Sequence, residues 1–549
     1  MARPTSIRRL LIYALLVGGS IFFSLPFLWM AATSVKVDNE LFKPGLNLFP
    51  SLPDPKTQSP YLDTRHLQDI PEVPGELAGP LRDLVRELAA SFAPADLPED
   101  VWLPPLVHAA YGKLQDSLPA DAWDDPPEKL IRTCAAALGT KAVRELYERQ
   151  HRQLCLGPMR VRSLDLVETV LGEGFPPSQR FDNQSPDIVT LRDQTEGTVR
   201  CAALVYDFDK GDTITLTRDY DLGFATDRLE RFQLYLKPDD TWHELDVVLE
   251  TGGVRYRTER PFPLANYNWT MVTWQKPGPD DDSTKIKTWV LLHPDETAKN
   301  AFAEPGKARV TFTIGRSSFP DAVGAKFALN YIRVMEHIPF WRYVRVSVFL
   351  VLTNVIMTVF ACSLVAYAFA RLQWPGREFC FLLMLATLMI PGQVTMIPHF
   401  LIWKYVGAYN TLTPLWLGSA FGSAFFVFLL RQFLKGIPRD LEDAARIDGC
   451  GTFRIYWHLM LPLMKPSLAA IAIFTFMGTW NNFMGPLIYL ADQRLYPLAF
   501  GLYAFSVQVG NNPALTMAGS LLMTLPVIVI FFFAQKYFIQ GVTLTGMKG

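Results

Sequence analysis

Along this chain the apolar positions gather into long runs at both ends and thin out in the middle. The first run, Leu10 to Ala32, reads LLIYALLVGGSIFFSLPFLWMAA. As a helix it is long enough to cross a hydrocarbon layer of about 30 Å. Arg3, Arg8 and Arg9 precede it as they would a signal peptide. The run exceeds the usual signal core of about 7–15 residues, however, so it reads as an uncleaved first span. Runs of spanning length return at Tyr343–Ala370, Phe379–Trp403, Thr413–Phe433, Ser467–Leu490 and Thr516–Phe538. The pattern predicts an all-α polytopic membrane domain of six transmembrane helices.

Residues 35–340 lack any run that could span and are rich in Asp, Glu, Pro and Arg, which predicts a soluble insertion after the first helix. Its period changes along its length. LRDLVRELAASF and PPEKLIRTCAAALGTKAVRELYERQ, within 79–155, repeat apolar residues at helical spacing. From about residue 198 the period is two: Ile214 and Leu216 lie between threonines, Leu234 and Leu236 flank Tyr235, and Val310, Phe312 and Ile314 alternate with Thr311 and Thr313. The expected organisation is 1–34 for the N-terminus and first helix, 35–195 for a mainly helical part of the insertion, 196–335 for an antiparallel β-sandwich or jelly roll, and 336–549 for the membrane core. The insertion is thus α+β.

Charge adds orientation. With the N-terminus inside, the short cytoplasmic loops would hold Arg371, Arg377, Arg431, Lys435, Arg439, Arg446, Arg454, Lys465, Lys536 and Lys548. The opposite short loops hold little beyond Lys404 and Arg494. Positive charge is retained on the cytoplasmic side, so both termini are expected there and the insertion outside.

A net charge of −1 with 19 % charged residues argues against a nucleic-acid partner. None of Cys134, Cys155, Cys201, Cys362, Cys380 and Cys450 has C-x-x-C spacing, and no metal site is expected. Cys134 and Cys155 flank a helical stretch and would either bridge or stay as small buried hydrophobes. Asp280, Asp281 and Asp282 read as an acidic turn rather than a calcium site, and His243 and His293 as surface histidines. The G-x-x-x-x-G-K-[ST] phosphate loop is missing, so nucleotide hydrolysis by that route is not expected of this chain.

The polar segment between the fourth and fifth runs, KGIPRDLEDAARIDGCGTFRIYWHLMLPLMKP (435–466), is long for a loop between neighbouring spans. Pro438 suits a helix start, Asp440, Glu442 and Asp443 suit the positive end of the helix dipole, and Gly449 suits a left-handed stop. A short helix, a turn at 449–451 and a second helix broken before Pro462 are expected. The stretch EDAARIDGCGTFRIYWHLMLPLMKP closely resembles the EAA loop of binding-protein-dependent ATP-binding-cassette permeases. PFLWMAATSVK, LVAYAFARLQWPGRE, LMIPGQVTMIPHF, TWNNFMGPL, YPLAFGLYAF and QKYFIQGVTLTGMKG resemble the carbohydrate-type permeases akin to the second maltose-type subunit. The resemblance covers 1–53 and about 328–549.

What the resemblance implies is a transport subunit, not an enzyme, at home in the cytoplasmic (inner) membrane among its lipids. Its partners would be a second permease subunit, a cytoplasmic ATPase dimer holding ATP and magnesium, and an extracytoplasmic solute-binding protein. The substrate would be a sugar or oligosaccharide, and the chain itself would bind no cofactor. Glu442, Asp443, Ala444, Ala445, Asp448 and Gly449 would form the core of the ATPase-coupling loop, continued by Phe453, Leu461 and Pro462. Asp443 stands where the family's glutamate precedes the two alanines, which keeps the charge and shortens the reach.

Trp480, Asn481 and Asn482 lie in an expected span, where buried amides need partners or a wet path. They would line the substrate path or hold helices together. Pro391, with Gly392 and Pro398, would break the third span near that path, or kink it ordinarily. In the insertion Trp242, Trp269 and Trp274 would either stack on sugar rings or fill a core, and the core reading is favoured. A membrane-anchored carbohydrate-binding, sensing or glycan-processing protein remains the alternative, because sequence does not say which carboxylates of the insertion are paired in space.

Overall fold

The computed structural model describes residues 6–543, apart from 42–47, 68–69, 94–96, 197, 278–285, 287–288, 296, 298–300, 509 and 511. The chain divides into two compact units: Met1–Lys36, Asp282–Thr288 and Leu329–Gly549 form one, and Val37–Asp281 with Trp289–Ala328 form the other.

In the first unit four helical stretches are long and apolar enough to cross a membrane: Ile12–Ser34, Phe340–Arg371, Thr413–Lys435 and Pro513–Phe533. Two bent pairs raise the number to as many as six among the described residues. One pair is Arg377–Met389 with Gly392–Tyr405, bent by 101°. The break falls at Pro391, which has no N–H to donate and pushes Ile390 before it into extended backbone. The expected third run, Phe379–Trp403, is therefore two helices. The other pair is Thr452–Leu463 with Lys465–Trp480, bent by 75°. The fifth run was expected as one helix over Ser467–Leu490, but the helix stops at Trp480 and a short one follows at Met484–Tyr489. Asn482 explains the stop, since its side-chain carbonyl accepts from the Gly485 N–H at 3.0 Å and turns the backbone out of the first ladder. Large apolar side chains such as Phe22, Phe23 and Phe379 lie exposed on these helices, as surfaces that meet lipid or a partner require.

The second unit contains two cores. Helices Gly75–Ala89, Glu99–Ser117, Pro127–Ala137 and Thr140–Gln150 enclose one of them. Leu77, Leu81, Val85 and Ala89 recur every four residues along one face and are all buried, which is how an amphipathic helix buries a single stripe. The change from helix to strand falls at His151, well inside the stretch 35–195 expected to be mainly helical, and the helix Phe319–His337 falls at the end of the stretch expected to be β. The helical period simply runs out at Gln150.

Apart from the short antiparallel pair Tyr61–Leu62 and His151–Arg152, the strands join one sheet whose main path makes two runs. The first runs in the order Gln58–Ser59, Val199–Asp207, Cys155–Ser163, Leu229–Lys237, Thr270–Gln275, Val290–Pro294. From Val290–Pro294 the second continues through Val254–Thr258, Glu244–Thr251, Lys307–Gly315, Thr213–Asp221 and Asp182–Asn183. Neighbours are antiparallel except Thr270–Gln275 and Val290–Pro294, whose parallel pairing departs from the fully antiparallel arrangement expected. Both runs feed one hydrophobic core: Leu234, Leu236 and Phe232 from the first, Ile214, Leu216, Val310, Phe312 and Ile314 from the second. The alternation visible in the sequence is thus the inward set of each strand.

Cys134 lies in the helical core, whereas Cys155 sits with Cys201 and Ala203 in a separate cluster, so Cys134 and Cys155 are not partners. His243 is buried rather than at the surface. Its Nδ1 accepts from the Ser317 N–H at 3.1 Å and its Nε2 meets the Lys56 carbonyl at 2.9 Å. Burial lowers its pKa. His293 is exposed, and Asp280, Asp281 and Asp282 lie outside the described residues.

Candidate functional site

The segment 435–466 folds as a helix, Asp440–Ile447, a turn, and a second helical stretch, Thr452–Leu463. Asp440, Glu442 and Asp443 occupy the first turn, where the helix dipole favours negative charge. Gly449 ends the helix at φ +81°, and the N–H groups of Gly449 and Cys450 close back on the carbonyls of Arg446 and Ala445 at 3.0 and 2.9 Å. A side chain at that φ would be strained.

The second stretch was expected to break before Pro462. Instead it widens to a π turn at Tyr456–Met460, passes through Pro462 and bends only after Leu463. The wide turn accommodates a proline that cannot donate into an α ladder.

The loop has an inner and an outer face. Glu442 points inward and pairs with Arg371, the last residue of the long helix Phe340–Arg371, with Oε1 and Nε 3.0 Å apart. Their side chains are only 4 % and 3 % exposed. The contact is ionic rather than a well-aligned hydrogen bond. Arg371 also donates through Nη2 to the carbonyls of Leu434 and Ile437, so one guanidinium ties together the long helix, the end of the helix Ala424–Lys435 and the loop. Beyond it, the Tyr456 hydroxyl meets Ser363 Oγ at 2.8 Å, and Ile455, Tyr456 and Met460 join Val427, Leu430 and Tyr367 in one core.

The outer face holds the rest of the set. Asp443, Ala444, Asp448, Gly449 and Pro462 are exposed, and Ala445 and Leu461 half-buried. Ile447 is 87 % and Phe453 67 % exposed, with Phe453 stacked on Trp457 at 6.3 Å. Apolar side chains standing out this far, beside small residues and a carboxylate, make a surface suited to a partner protein. Two residues that build the loop escaped sequence reasoning. In sequence Arg371 reads only as a loop charge, and nothing in the pattern marks Ile447. The signal in the sequence for the Glu442–Arg371 pair is an acidic residue on a loop and an arginine at the end of a preceding helix.

The other residues singled out separate. Trp480 is buried, stacked on Phe476 at 5.7 Å, and its indole N–H donates to the Met523 carbonyl at 3.0 Å. Both contacts hold it in the packing of the helices. Asn481 is exposed and donates to the Met477 carbonyl at 2.9 Å, while Asn482 holds the following short helix. Pro391 is exposed at the 101° bend. In the insertion, Trp242 and Trp274 are buried in the core, Trp274 stacked on Phe232 at 5.0 Å, so neither can meet a sugar. Trp269 is half-buried and stacks on Tyr235 at 4.9 Å. Among the described residues no group of three or more His, Cys, Asp or Glu side chains could hold a metal ion.

Long apolar helices, with two bent pairs among them and a structured polar loop locked at one face and open at the other, are the features of a polytopic membrane protein. Residues 347–544 match the family of binding-protein-dependent transport system inner membrane components. The arabinooligosaccharides transport system permease protein AraQ of Halalkalibacterium halodurans is 40 % identical over 210 residues, 38 % of this chain and 75 % of that protein. AraQ of Bacillus subtilis is 39 % identical over 203 residues, 37 % of this chain and 72 % of that protein. The lactose transport system permease protein LacG of Rhizobium radiobacter is 30 % identical over 227 residues, 41 % of this chain and 81 % of that protein. The chain belongs to this family, and it is an integral membrane permease subunit of an ATP-binding-cassette importer, a transport component and not an enzyme.

Proposed function

We propose that this permease imports a sugar or oligosaccharide, with the 440–463 segment as the surface through which a cytoplasmic ATPase dimer drives it. The observation that carries the reading is the division of the loop. Glu442 is locked to Arg371, while Asp443, Ala444, Asp448, Gly449 and Phe453 are left outward. A partner pressing on the outer face acts on a lever joined to two long helices through one guanidinium. A rigid connection of that kind passes displacement on, where a floppy loop would absorb it. The sugar assignment is supported by the relatives, which are named for arabinooligosaccharide and lactose transport.

The chain crosses the membrane six times, counting each bent pair as one span, with both termini cytoplasmic and the insertion outside. The distribution of Lys and Arg supports this orientation. The rest of the assembly is a second permease subunit and an extracytoplasmic solute-binding protein. ATP-driven closure of the ATPases moves the loop, the helices rock, and the path opens alternately to either side. Asn481, exposed beside the break at Trp480, and Pro391, at the other bend, are the residues of this chain proposed to face that path. The insertion's two parts, helical then β-rich, form an outer module whose second half we propose to be of jelly-roll type.

The test is ATPase activity of the reconstituted complex against a panel of sugars with the solute-binding protein present. Stimulation by one sugar class, abolished by Gly449→Pro with assembly retained, is the expected outcome. No stimulation by any sugar in an assembled, ATP-hydrolysing complex would remove the sugar assignment and leave the family membership.

A further inference from the structure

We propose that the insertion carries its own saccharide-binding face, centred on Tyr235 and selective for a sugar that bears a carboxylate. The face is the outward side of three neighbouring strands, Cys155–Ser163, Leu229–Lys237 and Thr270–Gln275. Their inward residues, Met159, Val161, Phe232, Leu234, Val272 and Trp274, fill the core. The intervening residues must therefore point the other way. Register places Gln233 opposite Arg160 and Thr273, and Tyr235 opposite Met271. Pro158, Arg160, Gln233, Tyr235 and Met271 line a hollow of about 110 Å³. Enclosed ligand pockets take about 300 Å³ or more. This one is open and small, which suits one ring of a chain lying across the sheet.

Each wall does a separate job in recognising a sugar. Tyr235 stacks at 15° on Trp269, whose indole N–H donates to Glu196 Oε2 at 3.0 Å, and the other oxygen of Glu196 meets Lys237 Nζ at 2.7 Å. That chain fixes the aromatic pair before any ligand arrives, so little ordering entropy is lost on binding. Gly157 makes the close approach feasible, since a Cβ there would lie 2.5 Å from the Tyr235 carbonyl oxygen and 3.2 Å from the Trp269 ring. The aromatic platform suits the C–H face of a pyranose, as an amphipathic ring does for any partly apolar partner.

Gln233 donates through Nε2 to Thr273 Oγ1 at 3.0 Å, which orients its carbonyl oxygen as an acceptor for a hydroxyl. Arg160 is exposed, and among the described residues its guanidinium has no ion-pair or hydrogen-bond partner, its backbone alone being paired in the sheet. Farther along the same face, Arg162 and Arg231 share Glu230 at 3.8 and 3.1 Å, with Glu168 opposite Arg162 in register. The Nε atoms of Arg162 and Arg231 are buried and unsatisfied. Three guanidiniums against two carboxylates, with the unpaired one beside the hollow, favour an anionic ligand, and a planar fork matches a carboxylate. A uronate ring on Tyr235 with its carboxylate on Arg160 meets every one of these features.

The proposal stands apart from the transport reading, because a permease moving another solute would keep the same face. The experiment titrates the full chain, purified in detergent, with oligouronates and with neutral oligosaccharides of equal length, and follows tryptophan fluorescence and calorimetry. Oligouronate binding should weaken about tenfold in Tyr235→Ala, the scale of one lost ring contact. It should weaken comparably in Arg160→Gln, and Tyr235→Phe should bind as the parent does. Arg160 is exposed, so its replacement leaves folding intact. Equal binding of neutral and acidic sugars, or parent-like binding by both Tyr235→Ala and Arg160→Gln, would overturn the proposal, as would no binding of either sugar by a chain that melts normally.

Discussion

Glu442 of the polar loop and Arg371 at the end of the long helix lie 3.0 Å apart and are both sealed from solvent. A buried pair of this kind contributes little net stability, because desolvation offsets most of the attraction, yet removing one partner leaves a bare buried charge. Arg371 also serves the carbonyls of Leu434 and Ile437, which makes it the hub and Glu442 its counter-charge. Glu442→Ala should therefore destabilise the unit by about 3 kcal/mol. Thermal melting of the detergent-solubilised chain checks this. A swap to Glu442→Arg with Arg371→Glu should not restore it, since a glutamate cannot donate to the two carbonyls.

Asp443 is adjacent and behaves oppositely. Its carboxylate is 62 % exposed and, among the described residues, pairs only with Arg446, at 3.5 Å. Asp443→Ala should leave melting within about 0.5 kcal/mol of the parent. Pull-down with the partner ATPase should nevertheless weaken. Loss of melting stability without loss of ATPase binding would reverse the assignment of inner and outer faces.

Gly449 holds φ +81° in the turn that ends the loop helix, with no heavy atom close to where a Cβ would stand. The cost of substitution is thus conformational rather than steric. Gly449→Ala should cost about 1–2 kcal/mol, and Gly449→Asn less, because asparagine tolerates the left-handed region. Hydrogen exchange over 440–455, faster in the alanine variant than in the asparagine variant, is the readout.

Trp480 lies in the core with its N–H on the Met523 carbonyl. Trp480→Phe should lose about 1 kcal/mol of stability through the missing hydrogen bond. It should leave the apparent KM for substrate in coupled ATPase assays unchanged. A large rise in KM would put this side chain back in the substrate path.

The insertion carries an acid-sensitive joint at Asp63. Burial would raise its carboxyl, but hydrogen bonds from Arg65 at 2.9 Å and the charges of Arg65 and Arg152 hold it well below the usual carboxylate range. A carboxyl with a depressed folded pKa stabilises the fold fully above its unfolded pKa, about 3.9, and loses that contribution as pH falls through the folded value. The unit should keep this contribution from neutral pH down to about 4 and lose it progressively below. Asp63→Asn should remove about 2 kcal/mol at pH 7 and flatten the pH dependence under 4. The gap between the melting temperatures of the two chains should be constant from pH 7 to about 5 and should narrow from there towards pH 3.

Much of the architecture was legible because it follows from patterns that local physics enforces. The lengths of the apolar runs marked the membrane helices, since each must hide its backbone polar groups within itself. The two-residue alternation at Ile214–Leu216 and Val310–Ile314 marked strands whose inward set meets a core. What could not be read was the register of contacts between distant segments. Trp242, Trp274 and Trp269 look alike in sequence, and only the packing of the folded unit buries the first two and leaves the third half-covered beside Tyr235. His243 reads as a surface residue until Ser317 and Lys56, far along the chain on either side, close around it.

The sequence by itself determined that the chain is a membrane permease interrupted after its first helix by a polar insertion and carrying a structured polar loop, because helix length, side-chain period, turn glycines and a contiguous motif are all properties of neighbouring residues. Tertiary structure alone decided that Glu442 faces inward and Asp443 outward, that Trp480 is buried with its N–H on the Met523 carbonyl, and that three strands bring Arg160, Gln233, Tyr235 and Met271 to one hollow. Those outcomes depend on which side of each element meets another element. That choice is made by burial against partners tens of residues away in the chain, and no local pattern records it.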